Sequence, residues 1–219
     1  MDRKVQKYNL KHMRTNVLDP SKPAGKMGRP REFDMEAAVE AAMRVFWEKG
    51  YDGATLSDLT SAMGINRSSM YTIFGDKEAL FRLAIDRYAD GPAVYVRKSV
   101  EESTAREVIE SLLHGALELM SNPRNPRGCL SVQGALANGT GGETVKQVLI
   151  DWRKRGEALL EGRFRRAQKE GDLKRSLDPG DLARYVSALL NGLGVQAANG
   201  ASRKQMSHIV DLAVSSLPI

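Results

Sequence analysis

Thr55–Leu80 reads TLSDLTSAMGINRSSMYTIFGDKEAL. It spells two short helices joined by a tight turn, with a third helix opening at once. Thr55 is a good N-cap, and Asp58 three residues later completes a capping box with Asp in place of Glu. Leu56, Leu59 and Met63 recur at helical spacing and make one apolar stripe. Gly64 ends the helix, because glycine tolerates the left-handed conformation that a C-cap needs. Ile65 anchors the turn, and Asn66 caps the next helix, Arg67–Phe74. Met70, Ile73 and Phe74 share its inner face. Gly75 stops it, and Asp76 caps the helix that follows. Two helices in this arrangement present the second to a DNA major groove.

The outer face of that second helix carries Arg67, Ser68, Ser69, Tyr71 and Thr72. These are donors and acceptors of modest length, suited to phosphate oxygens and base edges. Lys77 lies at a helix N-terminus, where unfilled amides and the dipole favour an anion such as a phosphate. The expected division places Arg67, Ser68, Ser69 and Thr72 nearest the bases, with Thr55, Tyr71 and Lys77 on phosphate.

The run Gly64–Leu80, GINRSSMYTIFGDKEAL, resembles the recognition-helix signature of TetR-family transcriptional regulators. Upstream, Ala38–Gly53, AVEAAMRVFWEKGYDG, is similar to that family's first helix, aromatic pair and following glycine included. The resemblance covers roughly Phe33–Ala84. Asn66 stands where many relatives carry Ser, and Ile73 where many carry Tyr or His; both substitutions bear on base preference.

Charge sits unevenly. Residues 1–33 hold nine of the 33 Lys and Arg against three of the 27 Asp and Glu, an excess of six that equals the formal net charge of the chain, +6. Gly28-Arg29-Pro30-Arg31 is its sharpest part, because arginine inserts well into narrow minor grooves. Arg29 and Arg31 are therefore expected on DNA, and residues 1–26 as a solvated leader. No apolar run is long enough to span a bilayer and no apolar leader opens the chain, so a soluble, cytoplasmic protein without membrane contact is expected.

The remainder reads as helical, with no alternating strand pattern. An all-α fold is expected in three parts: a basic arm (1–32), a three-helix DNA-binding domain with the helix-turn-helix (33–84), and a helical effector-binding and dimerisation domain (85–219). Helix one runs from about Asp34 to Lys49 on a stripe of Ala38, Ala42 and Phe46, with Val39 and Met43 beside it. Helix four runs to about Asp90, its spacing set by Leu80, Leu83, Ala84 and Arg87. Gly91-Pro92 breaks the chain. Further helices are expected over about 92–100, 104–120, 128–138, 143–170, 179–199 and 202–216. The 143–170 helix has a stripe of Val145, Val148, Leu149, Trp152, Leu159, Leu160 and Phe164.

The helix Pro179–Asn199 is apolar and small over more than one face, and such a helix must bury both. With the last helix it suits a two-fold four-helix bundle between subunits. Leu189, Leu193, Val195, Gln196, Ile209, Val210, Ala213 and Leu217 are the expected interface, although burial within one subunit would explain each. A single helix-turn-helix also needs a symmetric partner to read two half-sites, and the family resemblance implies the same homodimer.

Little else points to chemistry. His12, His114 and His208 have no metal-site spacing, and Gly139-Thr140-Gly141-Gly142 lacks the Lys and preceding strand of a phosphate loop. No metal or cofactor is expected. The one cysteine, Cys129, rules out an internal disulfide. At a helix start beside Arg127 it suits a redox or electrophile sensor, while packing as a small apolar residue is the plainer account. The resemblance implies a small-molecule site among the middle helices, lined by Leu113, His114, Leu117, Met120, Val132, Trp152 and Tyr185, each of which could instead be core. The expected function is a ligand-responsive regulator, a repressor released from a palindromic operator by an unidentified small molecule. An activator or architectural protein without effector is the rival within DNA binding, and an enzyme using Cys129 is the rival outside it.

Overall fold

A computed structural model describes residues 33–132 and 142–217, all connected by helices and turns, with no strand among them. The described residues from Asp34 onward cluster as one unit. The helices are α1 (Met35–Gly53), α2 (Leu56–Met63), α3 (Arg67–Phe74), α4 (Lys77–Asp90), α5 (Tyr95–Ser99), α6 (Ala105–Ser121), α7 (Gly142–Glu170), α8 (Pro179–Ala198) and α9 (Arg203–Ser215). The basic arm, Arg29 and Arg31 included, and the expected helix beyond residue 132 lie outside the described residues. Residues 130–132 are helical.

Capping residues set most of these boundaries. Asp34, Thr55, Asn66, Asp76, Thr104, Asp178 and Ser202 each accept a hydrogen bond from a backbone amide in the first turn of the helix they open. Each fills one of the orphan donors that a helix start leaves. Gly64 takes φ 67°, ψ 28°, the left-handed cap foreseen.

Helix α1 differs from expectation at its end. Gly50, at φ 69° and ψ 175°, kinks the helix, and one further turn follows to Gly53. That turn carries the Tyr51 ring onto Phe46, stacked at 6.0 Å, and edge-on to Phe81 at 5.2 Å. Aromatic packing thus prolongs a helix that the glycine would otherwise stop.

Helix α4 packs along α1 with Leu80, Phe81, Ala84, Ile85 and Tyr88 inward. Leu83 is 41% exposed, contrary to the expected stripe. It stands about 130° round the helix from that inner face. Arg87 lies at the edge and binds Glu40 of α1 at 2.7 Å. Leu159 is also 41% exposed, because α7 turns Leu149, Leu160, Phe164 and Ala167 inward instead.

Helix α6 is central to the rest. It meets α5, α7, α8 and α9, and its inner face runs from Ala105 to Met120. Helix α8 packs mainly on α7. Its inner residues are Leu182, Ala183, Val186, Leu193, Gly194 and Ala197. Helix α9 turns Met206, Val210 and Ala213 to the same core, and Leu217 follows just beyond it.

Candidate nucleic-acid interface and interior cavity

The start of α2 is locked by its own side chains. The Asp58 amide donates to Thr55 Oγ1 at 3.1 Å, while the Thr55 amide and hydroxyl both donate to Asp58 Oδ2. Lys49 completes the set with a 2.7 Å ion pair to Asp58 Oδ1. These hydrogen bonds, from Lys49 first and then Thr55, hold the Asp58 carboxyl down to about 2. The Thr55 hydroxyl is thus occupied. The donors left at this helix start are the amides of Leu56 and Ser57, as the geometry of a first turn requires.

Helix α3 is held by Asn66, which accepts from the Ser69 amide at 2.8 Å. Met70 and Phe74 are buried and Ile73 half-buried. Arg67, Ser68, Tyr71 and Thr72 are exposed together, with Ser69 half-buried at the edge of the same surface. Tyr71 stands out as a ring 48% open to solvent. The Thr72 hydroxyl donates back to the Ser68 carbonyl at 2.9 Å, which leaves its lone pairs outward. All five expected contact residues of this helix therefore share one solvent-facing side.

Lys77 sits at the start of α4, beside the recognition helix. Its Nζ lies 4.4 Å from the centroid of the Tyr51 ring. Burial lowers its ammonium below the usual lysine range, and the Asp52 charge partly opposes this. The ring thus holds the ammonium at the edge of the α3 surface.

A separate cavity of about 70 Å³ lies among α5, α7, α8 and the segment at Cys129. Its polar wall is Tyr95, Cys129, Ser131, Arg153, Glu157, Ser187 and Asn191; Val96, Met120, Trp152, Leu160 and Leu190 supply most of the rest. Tyr88, near the C-terminal end of α4, donates its hydroxyl hydrogen bond to Cys129 Sγ at 3.4 Å. Cys129 Sγ is in turn 3.2 Å from Ser131 Oγ. Burial first, with Cys129 beside it, raises both the Tyr88 and Tyr95 phenols above the usual tyrosine range.

Tyr95 also lines an open groove of about 580 Å³ with Pro92, Gly115, Glu118, Asn122 and Arg203. Its ring lies directly on Gly115. A Cβ at that glycine would stand 2.4 Å from Tyr95 Cδ2 and 2.7 Å from its Cγ, so no other residue fits without displacing the ring. Tyr95 is accordingly the partition between cavity and groove.

Of the expected cavity residues, Met120 and Trp152 line this space. Leu113, Leu117 and Val132 are buried core that does not line it. His114 is exposed and Tyr185 is 42% exposed, so neither reaches it. Both occupy helix faces turned away from the core. Tyr95, Cys129, Arg153 and Asn191 were not among the expected liners. A signal for Arg153 exists: Leu149, Arg153, Gly156 and Leu160 follow helical spacing, so a cation and a glycine interrupt an apolar stripe.

The expected interface residues divide in two. Leu193, Val210, Ala213 and Leu217 are buried within the subunit. Leu189, Val195 and Ile209 are half-buried and Gln196 exposed. They share an outward face of α8 and α9 with Tyr185 and with Leu212, which is 70% exposed and was not foreseen.

Two family models match the chain: "Bacterial regulatory proteins, tetR family" over residues 38–84, and "Tetracyclin repressor-like, C-terminal domain" over residues 104–211. ComR, a transcriptional repressor of Escherichia coli K12, is 26% identical over 193 residues, covering 87% of this chain and 92% of ComR. AcnR, a repressor of Corynebacterium efficiens, is 28% identical over 182 residues, covering 82% and 89% of the two chains. Among solved structures, a cysteine-substituted form of the TetR regulator CifR, complexed with a 26-base-pair operator duplex, is 37% identical. It superposes with a TM-score of 0.82 over 87% of this chain and 100% of CifR. With the helix-turn-helix and the helical C-terminal part both matched, the chain belongs to the TetR family of transcriptional regulators, which are DNA-binding proteins and not enzymes.

Proposed function

We propose that this regulator is a homodimeric repressor, with α3 of each subunit in one half-site of a palindromic operator, and that a small molecule in the cavity releases it. The observation that carries the DNA reading is the single exposed face of Arg67, Ser68, Ser69, Tyr71 and Thr72 on a capped, rigid helix. Arg67, Ser68, Ser69 and Thr72 take the base edges. Tyr71 and Lys77 take phosphate, and the Leu56 and Ser57 amides serve there beside Thr55. Arg29 and Arg31 extend the contact into the adjacent minor groove. The relatives ComR and AcnR are both named repressors, which supports the sign of regulation.

The outward face of α8 and α9 supports the dimer. Tyr185, Leu189, Val195, Ile209 and Leu212 form an apolar surface of the kind that pairs on a two-fold axis. We take residues 33–84 as the DNA-binding part and 85–219 as the effector and dimer part, with α4 spanning the join. A bacterial regulator of this kind meets its operator in the cytoplasm.

Helix α4 supplies the coupling. Its first residue, Lys77, borders the recognition helix, and Tyr88, eleven residues on, touches Cys129 at the cavity wall. A ligand that pushes Tyr95 or Tyr88 moves this rod and with it the spacing of the two recognition helices. Release then equals the ligand's differential affinity for the two arrangements.

The reading is tested by selecting bound DNA from a random pool while measuring the protein's mass in solution. An enriched palindrome bound by dimers is expected; salt-sensitive binding without enrichment would overturn it. On that operator, Lys77→Ala reduces the slope of log affinity against log salt by about 0.9 for each phosphate that the lysine neutralises. Equal slopes for variant and parent would remove Lys77 from the phosphate set.

Gly115→Ala tests the partition. The added methyl drives the Tyr95 ring from its seat, an overpacking that costs about 1–3 kcal/mol. Operator affinity falls with it, and Tyr95→Ala added in the same chain restores part of both losses. Denaturant midpoints and operator titrations follow the two quantities, and equal values for Gly115→Ala and parent would refute the Tyr95 partition.

A further inference from the structure

We propose that the effector is a small monocarboxylate with an apolar body, its carboxylate set against Arg153. This rests on the cavity being the effector site. Two cations lie on the inward side of α7: Arg163 is buried against the Glu102 and Ser103 carbonyls, and Arg153 forms part of the cavity wall. Its Nη1 donates to the Ser131 carbonyl at 2.8 Å. A guanidinium has five N–H donors, so this bond leaves most of them for another acceptor. Among the described residues no carboxylate lies within ion-pair distance of Arg153. Glu157, one turn along the same helix, is engaged instead by Arg184 at 3.4 Å. Burial lowers the Arg153 guanidinium below its usual range, which marks it as partly removed from water.

A partly desolvated guanidinium without a counter-ion among the described residues favours a planar, two-oxygen acceptor that can take paired N–H bonds. Asn191, Ser187 and Tyr95 stand on the same wall and offer further polar groups. The remaining wall, with Met120, Trp152, Leu160 and Leu190, suits an apolar or aromatic body. Glu157, on the same wall, adds negative charge, so a phosphate dianion is disfavoured more strongly than a monocarboxylate. Size limits the body. A space of about 70 Å³ admits only a small body. Longer molecules therefore need the Tyr95 partition to swing toward the groove.

The test uses the full chain and calorimetric titration, which needs no operator. The probes are butyrate, hexanoate and benzoate, their primary amides as neutral twins, and phenyl phosphate as a dianion. At least one carboxylate binds, and its amide binds about tenfold or more weakly, the size of a lost charged hydrogen bond. Arg153→Gln removes the preference for the acid over the amide, and Arg153→Lys retains part of it. A denaturant midpoint for each variant checks that it folds. The proposal is overturned if none of the three carboxylates binds, if an amide or the phosphate binds as well as the acid, or if Arg153→Gln leaves the preference intact. Operator binding by the same chains is measured separately. A chain that binds operator but no carboxylate refutes the ligand class alone. A chain that binds a carboxylate at this site but is not released from operator by it refutes the effector reading.

Discussion

Trp47→Ala is expected to lower the stability of the folded chain by about 3–5 kcal/mol, the range for removing a large aromatic side chain from a packed core. Trp47 has no exposed surface, and its ring meets Tyr88 edge-on at 4.9 Å. Its Nε1 donates to the Gly128 carbonyl at 3.0 Å, a buried bond between residues 81 positions apart. That bond ties α1 of the DNA-binding part to the segment that carries Cys129. Truncation therefore opens a void and strands a buried carbonyl at once. Trp47→Phe keeps most of the volume but loses the bond, so its smaller loss combines a small void with the unpaired carbonyl, the latter about 1–3 kcal/mol. Equilibrium unfolding in urea measures both. A loss below about 1 kcal/mol for Trp47→Ala would mean that the core closes over the gap.

Arg67→Ala is expected to weaken binding to the selected operator by about 5- to 150-fold, corresponding to 1–3 kcal/mol for one specific base contact. Preference at one position of each half-site relaxes with it. Folding is spared, because Arg67 is exposed at the first position of α3, and the cap depends on Asn66 and Ser69 instead. Anisotropy titrations at one fixed salt concentration, on duplexes altered one base pair at a time, separate this from a phosphate contact. Loss of affinity that is uniform across all the duplexes would reassign Arg67 to the backbone. That pattern is the one expected of Lys77.

The DNA-reading part was legible because its signals are short-ranged. Thr55 with Asp58, Asn66 with Ser69, and Asp76 with Ala79 are pairs three residues apart. A helix start is decided within one turn, so such pairs announce it without knowledge of the rest. The positive φ of Gly64 belongs to the same class. Given these boundaries, the side of α3 left outward follows from which of its residues are apolar.

The cavity and the outward face of α8 and α9 were less legible, for a common reason. Helix α8 is apolar on two sides, and its periodicity does not say which side meets its own subunit. Packing against α7 and α6 chose Leu193 and Gly194 for the interior and left Tyr185 and Gln196 outside. The last helix was divided in the same way, with Val210 inside and Leu212 outside. His114 and Leu83 stand outside the packed faces of their helices, and part of this was legible: one turn away His114 has Glu110, Ser111 and Glu118, and Leu83 has Asp86 and Arg87.

Helix starts, the caps, the exposed polar face of α3 and the family were thus determined by the amino-acid sequence itself, since each rests on residues within a few positions of one another. Tertiary structure alone decided that Tyr95 would lie on Gly115, that Trp47 would bond Gly128, and that Arg153 would join a cavity wall. Each of these joins residues far apart in the chain or depends on the rotation of one helix against another. Such rotation is settled by the packing of whole faces, and no local pattern of residues encodes it.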